Sequence, residues 1–311
     1  MTTDYQQPPP RAVIFDLGGT LVDWPDWEED APRRWALSWD ALTAALPHAT
    51  WPHRDEYVAA MRAAELAHWR RVDDEHWSGP ASGVLRDGFH RLGRHVHEAE
   101  LTAALDGYAR AVDGWALLEP GARETLQLLR ERGYRLGLLS NTWWAADWHN
   151  ADLATHGLAE YLDELVYTSD QPHSKPHPSV FQAVAGLLDV DPAACVMIGD
   201  RLLDDVGGAL GVGMRAVWKE NTKPWPRPDG ITPTATVRHL AELPQAPRRP
   251  PRPVARFGQR AHRPRNDTAD LPGDLSGAVL RTHDHQSRSN PMYPAAAISS
   301  QRRRYSGMPA V

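Results

Sequence analysis

Five short apolar runs, each closed by a polar residue or a turn, constrain the fold of this chain most: Ala12 to Leu17, Arg135 to Ser140, Leu165 to Ser169, Ala194 to Gly199 and Arg215 to Trp218. Runs this short, bounded by turn residues, read as buried strands. Helical patterns separate them. In "EPGARETLQLLRERG", Pro120 stands near a helix start, Ala122, Leu126 and Leu129 share one face, and Gly133 marks the stop. After Pro178, residues Val180, Phe181, Val184, Leu187 and Leu188 follow the spacing of a buried helix face. The alternation predicts an α/β fold, a doubly wound parallel sheet covered on both sides, with ligands at the carboxyl ends of the strands. Asp16, Ser140 and Asp200 fall at such ends.

Between Trp24 and about Trp115 no strand-like run occurs. Trp35, Trp39, Leu42 and Leu46 form one helical stripe, and Leu101, Leu105, Tyr108 and Val112 another. Two further helices are predicted around Tyr57 to Arg71 and Val84 to Val96. The expected organisation is an α/β core over residues 11–24 and 116–245, with an all-helical cap over 25–115 that could close on substrate and exclude water. Residues 1–10 read as disordered. So does the stretch 246–311, where 12 Arg against 4 Asp give a net of +8, leaving −14 for the rest of a chain whose formal charge is −6. All 13 Trp precede this tail, which has too little periodic apolar surface to offset chain entropy. Its basic charge permits weak, non-specific contact with nucleic acid, but a solvated appendage is the expectation. No run of about 18 apolar residues suggests a membrane span. The one cysteine, Cys195, cannot form an intramolecular disulfide, which fits a cytoplasmic setting.

Four motifs stand in order along the chain: "FDLGGTLVD" with Asp16, "LLSNT" with Ser140, "SKPHP" with Lys175, and "MIGDRLLDDVGGA" with Asp200 and Asp205. Each alone is weak; four in register, at strand ends or in connecting loops, are not. On these motifs, from Arg11 to Pro244, the chain resembles the haloacid dehalogenase superfamily, whose members are mostly Mg²⁺-dependent phosphatases.

The resemblance implies that Asp16 is the nucleophile, attacking phosphorus to give an aspartyl-phosphate. Mg²⁺ would be held by Asp16, the backbone carbonyl of Gly18, Asp200 and Asp205, an oxygen set suited to a hard cation. Helix capping is the competing role for Asp204 and Asp205. Lys175 would act in catalysis beside Asp16 and bind phosphate, together with Ser140, the amides around Asn141 and the amides of Leu17 and Gly18. Gly18 and Gly19 carry no side chains to block that approach.

One residue departs from the pattern. Gly18 stands where most phosphatases of the superfamily carry a second Asp that protonates the leaving group and then activates water. Such help is worth about 10²–10⁴-fold. Asp23 is the nearest substitute within the motif, and the cap offers His68, His76, His90, His95 and His97; His173 and His177 lie near Lys175. The first reading is a phosphatase of a small phosphorylated metabolite; the alternative is a phosphometabolite-binding or regulatory protein with little turnover. A dehalogenase-like hydrolase is the third, disfavoured because the metal carboxylates are kept and no bulky aromatic occupies position 18. Trp24, Trp27, Trp143, Trp144 and Trp148 suggest either a stacking surface for substrate or packing between cap and core, with packing preferred.

Overall fold

A computed structural model describes residues 7–243. The readings of residues 1–6 and of 246–311 as disordered lie outside the described residues. In chain order the elements are β1 (Ala12–Phe15), β2 (Val22–Asp23), α1 (Trp27–Ala45), α2 (Arg54–Glu75), α3 (Ala81–Arg91), α4 (Glu98–Val112), β3 (Leu117–Leu118) and α5 (Ala122–Glu131). They continue with β4 (Arg135–Ser140), α6 (Ala146–Thr155), β5 (Glu164–Tyr167), α7 (Pro178–Leu187), β6 (Cys195–Gly199), a π-helical turn at Leu202–Gly207, α8 (Gly208–Gly211), β7 (Arg215–Lys219) and β8 (Ala235–Val237).

Six strands form one parallel sheet in the order β5-β4-β1-β6-β7-β8. The chain builds outward from β1 through β4 and β5, then resumes on the other side with β6 to β8. Strand order therefore reverses beside β1, and in an open α/β sheet the crevice at that reversal is the ligand site. The central strands are apolar on both faces because helices cover both. On one side Ile14, Leu139 and Met197 pack with Val180, Phe181 and Val184 of α7. On the other, Val13, Phe15, Leu136 and Leu138 pack with Ala122, Leu126 and Leu129 of α5. The doubly wound sheet is as expected, but Leu187 is a correction: it is 52% exposed. It ends α7, where the chain turns at Asp189 (φ 51°), and Leu188 enters the core in its place.

The helices α1–α4 fill the stretch between β2 and β3, whose pairing as an antiparallel ribbon brings both crossings together. Trp35, Leu42, Leu101, Tyr108 and Val112 from the two stripes form one apolar cluster with Tyr57, Met61 and Phe89. Close approach of α1 and α4 requires Gly107, where a Cβ would stand 2.6 Å from Ala41 Cβ. Arg34, inside this bundle, donates to the Tyr108 hydroxyl (2.9 Å) and to Trp27 O, and lies over the Trp27 and Trp115 rings. Trp143 and Trp144, from the loop after β4, are buried in the same cluster, Trp143 stacking on Trp35. The tryptophans thus join the helices to the sheet; burying rings of this size contributes about 4–6 kcal/mol each as an upper bound.

Candidate active site

The three central strands end side by side, so their last residues converge. Asp16 follows β1, and its amide still donates to Ile198 O of β6 (2.9 Å), which fixes the carboxylate at the sheet's end. The chain then turns through Gly19 at φ +76°, where a Cβ would stand 2.5 Å from Asp200 Oδ2. Both the left-handed conformation and the close approach demand glycine. Asp200 follows β6, and the π-helical turn that comes next returns Asp205 to the same end of the sheet. The Arg201 amide donates to Asp205 Oδ2 (2.9 Å), and a Cβ at Gly199 would overlap the Asp205 carboxylate.

Lys175 closes the group. Its Nζ donates to Asp16 Oδ1 (2.6 Å) and Leu139 O (2.9 Å). It also lies 2.7 Å from Asp205 Oδ1, an ion-pair contact. The Asn141 side chain clamps its main chain, donating to Lys175 O (3.0 Å) and accepting from Lys175 N (2.8 Å). This refines the expectation for Asn141: its side-chain amide serves the Lys175 loop, and only its backbone amide remains for an anion. The helices reach this loop too, because Ser174 N donates to His76 O (2.9 Å) and Ser78 N to Pro172 O (3.3 Å).

Burial strongly perturbs the titrating groups. Asp16 is pushed up to about 6, by burial first, with Lys175 opposing and Asp205 reinforcing the shift. Asp200 is pushed up to about 7, by burial and then by repulsion from Asp16 and Asp205. Burial works against the charge on Lys175, but Asp16 and Asp205 outweigh it and raise its pKa.

Three carboxylates crowded against one ammonium leave negative charge uncompensated. Asp16, Asp200 and Asp205 each offer an oxygen, all within 4.8 Å of one another. Asp200 Oδ1 is buried without a hydrogen-bond partner among the described residues. An all-oxygen set that includes the orphaned Asp200 Oδ1 fits a hard divalent cation. Asp204 stays apart, paired with Arg201 (3.2 Å).

Around this centre, Ser140 ends β4 and is buried. The amides of Leu17 and Gly18 have no backbone acceptor outside the sheet ladders among the described residues. Gly18 faces the Trp24 ring, where a Cβ would stand 3.1 Å from Cζ3.

The haloacid dehalogenase-like hydrolase family matches residues 10–213. The chain belongs to that family. Among relatives of this haloacid dehalogenase-like hydrolase, the glyceraldehyde 3-phosphate phosphatase of Pyrococcus abyssi is 34% identical over 208 residues, 67% of this chain and 80% of the relative. The N-acylneuraminate-9-phosphatase of Mus musculus is 38% identical over 254 residues, 75% of this chain and 92% of the relative. The crystal structure of a HAD phosphatase from Thermococcus onnurineus superposes with a TM-score of 0.51 at 28% identity, covering 75% of this chain and 95% of that one. The hydrolase class expected from the four motifs is borne out.

Several contacts in this haloacid dehalogenase-like hydrolase had no signal in the motifs. Asn221 Nδ2 (2.6 Å) and Trp225 Nε1 (3.2 Å) donate to Asp200 Oδ2 from the segment after β7. Lys223 of that segment pairs with Asp23, so Asp23 is already engaged. Of the cap histidines considered as substitutes for the acid, His68 is buried and pushed down to about 4 by burial, His76 is half-buried beside the Lys175 loop with Nδ1 lacking a partner among the described residues, and His90, His95 and His97 are exposed. His173 stacks on His177 (3.8 Å). No helix among the described residues is long and apolar enough to cross a membrane.

Proposed function

We propose that the protein is a divalent-metal-dependent phosphatase that cleaves a small phosphomonoester through an aspartyl-phosphate on Asp16. The observation that carries this reading is the buried Asp16–Lys175–Asp205 contact set beside the partnerless Asp200 Oδ1. A pure binding protein has no use for a carboxylate held at the end of β1 by a buried ammonium group.

Mg²⁺, held by Asp16, Asp200, Asp205 and the Gly18 carbonyl, would supply the positive charge that lets a carboxylate approach a phosphate dianion. Lys175 fixes Asp16 through Oδ1 and adds a second charge to the same region. The Ser140 hydroxyl and the amides of Leu17, Gly18 and Asn141 donate to the non-bridging phosphate oxygens. Asp16 forms the new bond to phosphorus as the ester oxygen departs, and water then releases phosphate from Asp16. The helical segment over residues 25–115 serves as a cap that excludes bulk water from the strand ends of the core, residues 11–24 and 116–245. The named relatives act on small phosphorylated metabolites, which supports the same substrate class here. A single buried Cys195 suits a cytoplasmic location.

The test is release of p-nitrophenol from p-nitrophenyl phosphate in Mg²⁺ and in EDTA, for the wild type and Asp16→Asn. Turnover should need Mg²⁺ and vanish in the variant. Equal rates in EDTA, or an active Asp16→Asn protein, would overturn the reading. One observation favours a second reading, a phosphometabolite-binding protein with little turnover: Gly18 lies under the Trp24 indole. Calorimetric binding of phosphometabolites without their hydrolysis would support it.

A further inference from the structure

The space above Gly18 is filled by protein. A Cβ built at Gly18 would stand 3.1 Å from Cζ3 and 3.7 Å from Cε3 of Trp24, so a side chain there presses on the indole, which must give by a few tenths of an ångström. Trp24 is held in place by a wall of rings. It meets Trp144 edge-on (centroids 5.5 Å, 73°) and His149 likewise (5.6 Å, 61°). The wall itself is anchored on one hydroxyl: Thr142 Oγ1 accepts from the Trp144 amide (2.9 Å) and bonds His149 Nε2 (2.8 Å). His149 is stacked between Trp144 and Tyr167.

Transfer of phosphate to Asp16 drives electrons onto the departing oxygen, which needs a proton if its conjugate acid is weak. Several neighbouring groups are engaged elsewhere. Lys175 Nζ donates to Asp16 Oδ1 (2.6 Å) and lies 2.7 Å from Asp205 Oδ1. Arg201 does not release a proton. Asp204 is paired with Arg201, and Asp23 with Lys223. His149 is buried and held neutral, pushed down to about 3. Asp200 and Asp205 belong to the carboxylate cluster. Next to Gly18, two residues from the nucleophile, stands an indole ring.

We propose that Trp24 is a specificity-determining residue: by occupying the space over Gly18 it confines the site to phosphates whose leaving group departs as a stable anion, such as acyl phosphates and esters of acidic phenols. The proposal rests on the phosphatase reading above. In the first step an Asp16 carboxylate oxygen bonds to phosphorus while the bond from phosphorus to the departing oxygen breaks. That oxygen keeps the electron pair and leaves as a carboxylate or phenolate, with no proton drawn from the protein. In the second step a water oxygen bonds to phosphorus and Asp16 regains its carboxylate. The water proton passes to solvent, and inorganic phosphate is released. A side chain at residue 18 would start tightly against the indole of Trp24, so the ring limits how a donor there can be placed.

The experiment is a leaving-group series in Mg²⁺: acetyl phosphate, p-nitrophenyl phosphate, phenyl phosphate and benzyl phosphate, read as kcat/KM. Proteins compared are the wild type, Trp24→Phe, Gly18→Asp and Gly18→Asp/Trp24→Ala, each checked for native circular dichroism. The wild type and Trp24→Phe should lose at least about 10²-fold from p-nitrophenyl to benzyl phosphate, the scale of missing acid catalysis. Gly18→Asp alone should not narrow that gap, because the ring limits how the carboxylate can be placed; the double variant should narrow it by about 10-fold or more. A wild type that cleaves benzyl and p-nitrophenyl phosphates at similar rates overturns the proposal even if the double variant does not fold. A gap closed by Gly18→Asp alone overturns it as well. Failure of the wild type to cleave any member of the series would instead overturn the phosphatase reading itself.

Discussion

Replacing Lys175 by Met tests whether the site is organised as a charge cluster. Lys175 is 2% exposed, Asp16 6% and Asp205 0%, and the ammonium lies within 2.7 Å of both carboxylates. Methionine keeps much of the volume and removes the charge, leaving two buried carboxylates facing each other. Taking one partner from a buried ion pair costs about 3–5 kcal/mol, because the remaining charge stays desolvated. For a unit of this size each kcal/mol lowers Tm by about 2–4 °C, so the loss should be about 6–20 °C. The assay is thermal unfolding followed by circular dichroism at neutral pH in EDTA. Asp205→Asn and the double variant complete a cycle: the double variant should lose clearly less than the sum of the singles, since no unpaired charge remains between these two positions. A Lys175→Met protein melting within about 2 °C of wild type, or a strictly additive cycle, would refute the reasoning.

Three further outcomes are expected. Asp16 and Asp200 have raised pKa values in the metal-free fold, so their favourable contribution is full below the ordinary carboxylate value and is lost as pH rises through about 6 and about 7. The rise in Tm on adding Mg²⁺ should therefore grow from pH of about 5 to about 8, while the opposite effects of buried His68 and His149 cancel in that difference; a constant increment would contradict the cluster. Gly199→Ala drives a methyl into the Asp205 carboxylate and should cost about 1–3 kcal/mol, with weaker Mg²⁺ binding by calorimetry; unchanged binding would count against Asp205 as a ligand. Trp143→Ala should cost about 3–5 kcal/mol in urea unfolding, since its ring is fully buried against Trp35 and Tyr108.

Much of the layout was legible because it depends on local pattern. The apolar runs ending at Asp16, Ser140 and Asp200 marked parallel strands that end side by side, and the stripes through Trp35 and Tyr108 marked inserted helices. β8 and the β2–β3 ribbon carried no such signal: they have three and two residues per strand, too few to show a period. Leu187 misled for a related reason, since helical spacing does not tell where a helix leaves the core.

Order along the chain was enough to determine the class of fold and the chemical character of the centre, because strand ends in a parallel sheet collect whatever polar residues terminate the apolar runs. Contacts between residues far apart in sequence were decided only in three dimensions. Asn141 clamps Lys175, Asn221 and Trp225 hold Asp200, and Trp24 lies over Gly18. The glycine at 18 announced a missing acid; only packing revealed the indole in its space. A side chain's type records its chemistry, whereas the neighbour that limits its use is set by how separate segments fill a common volume.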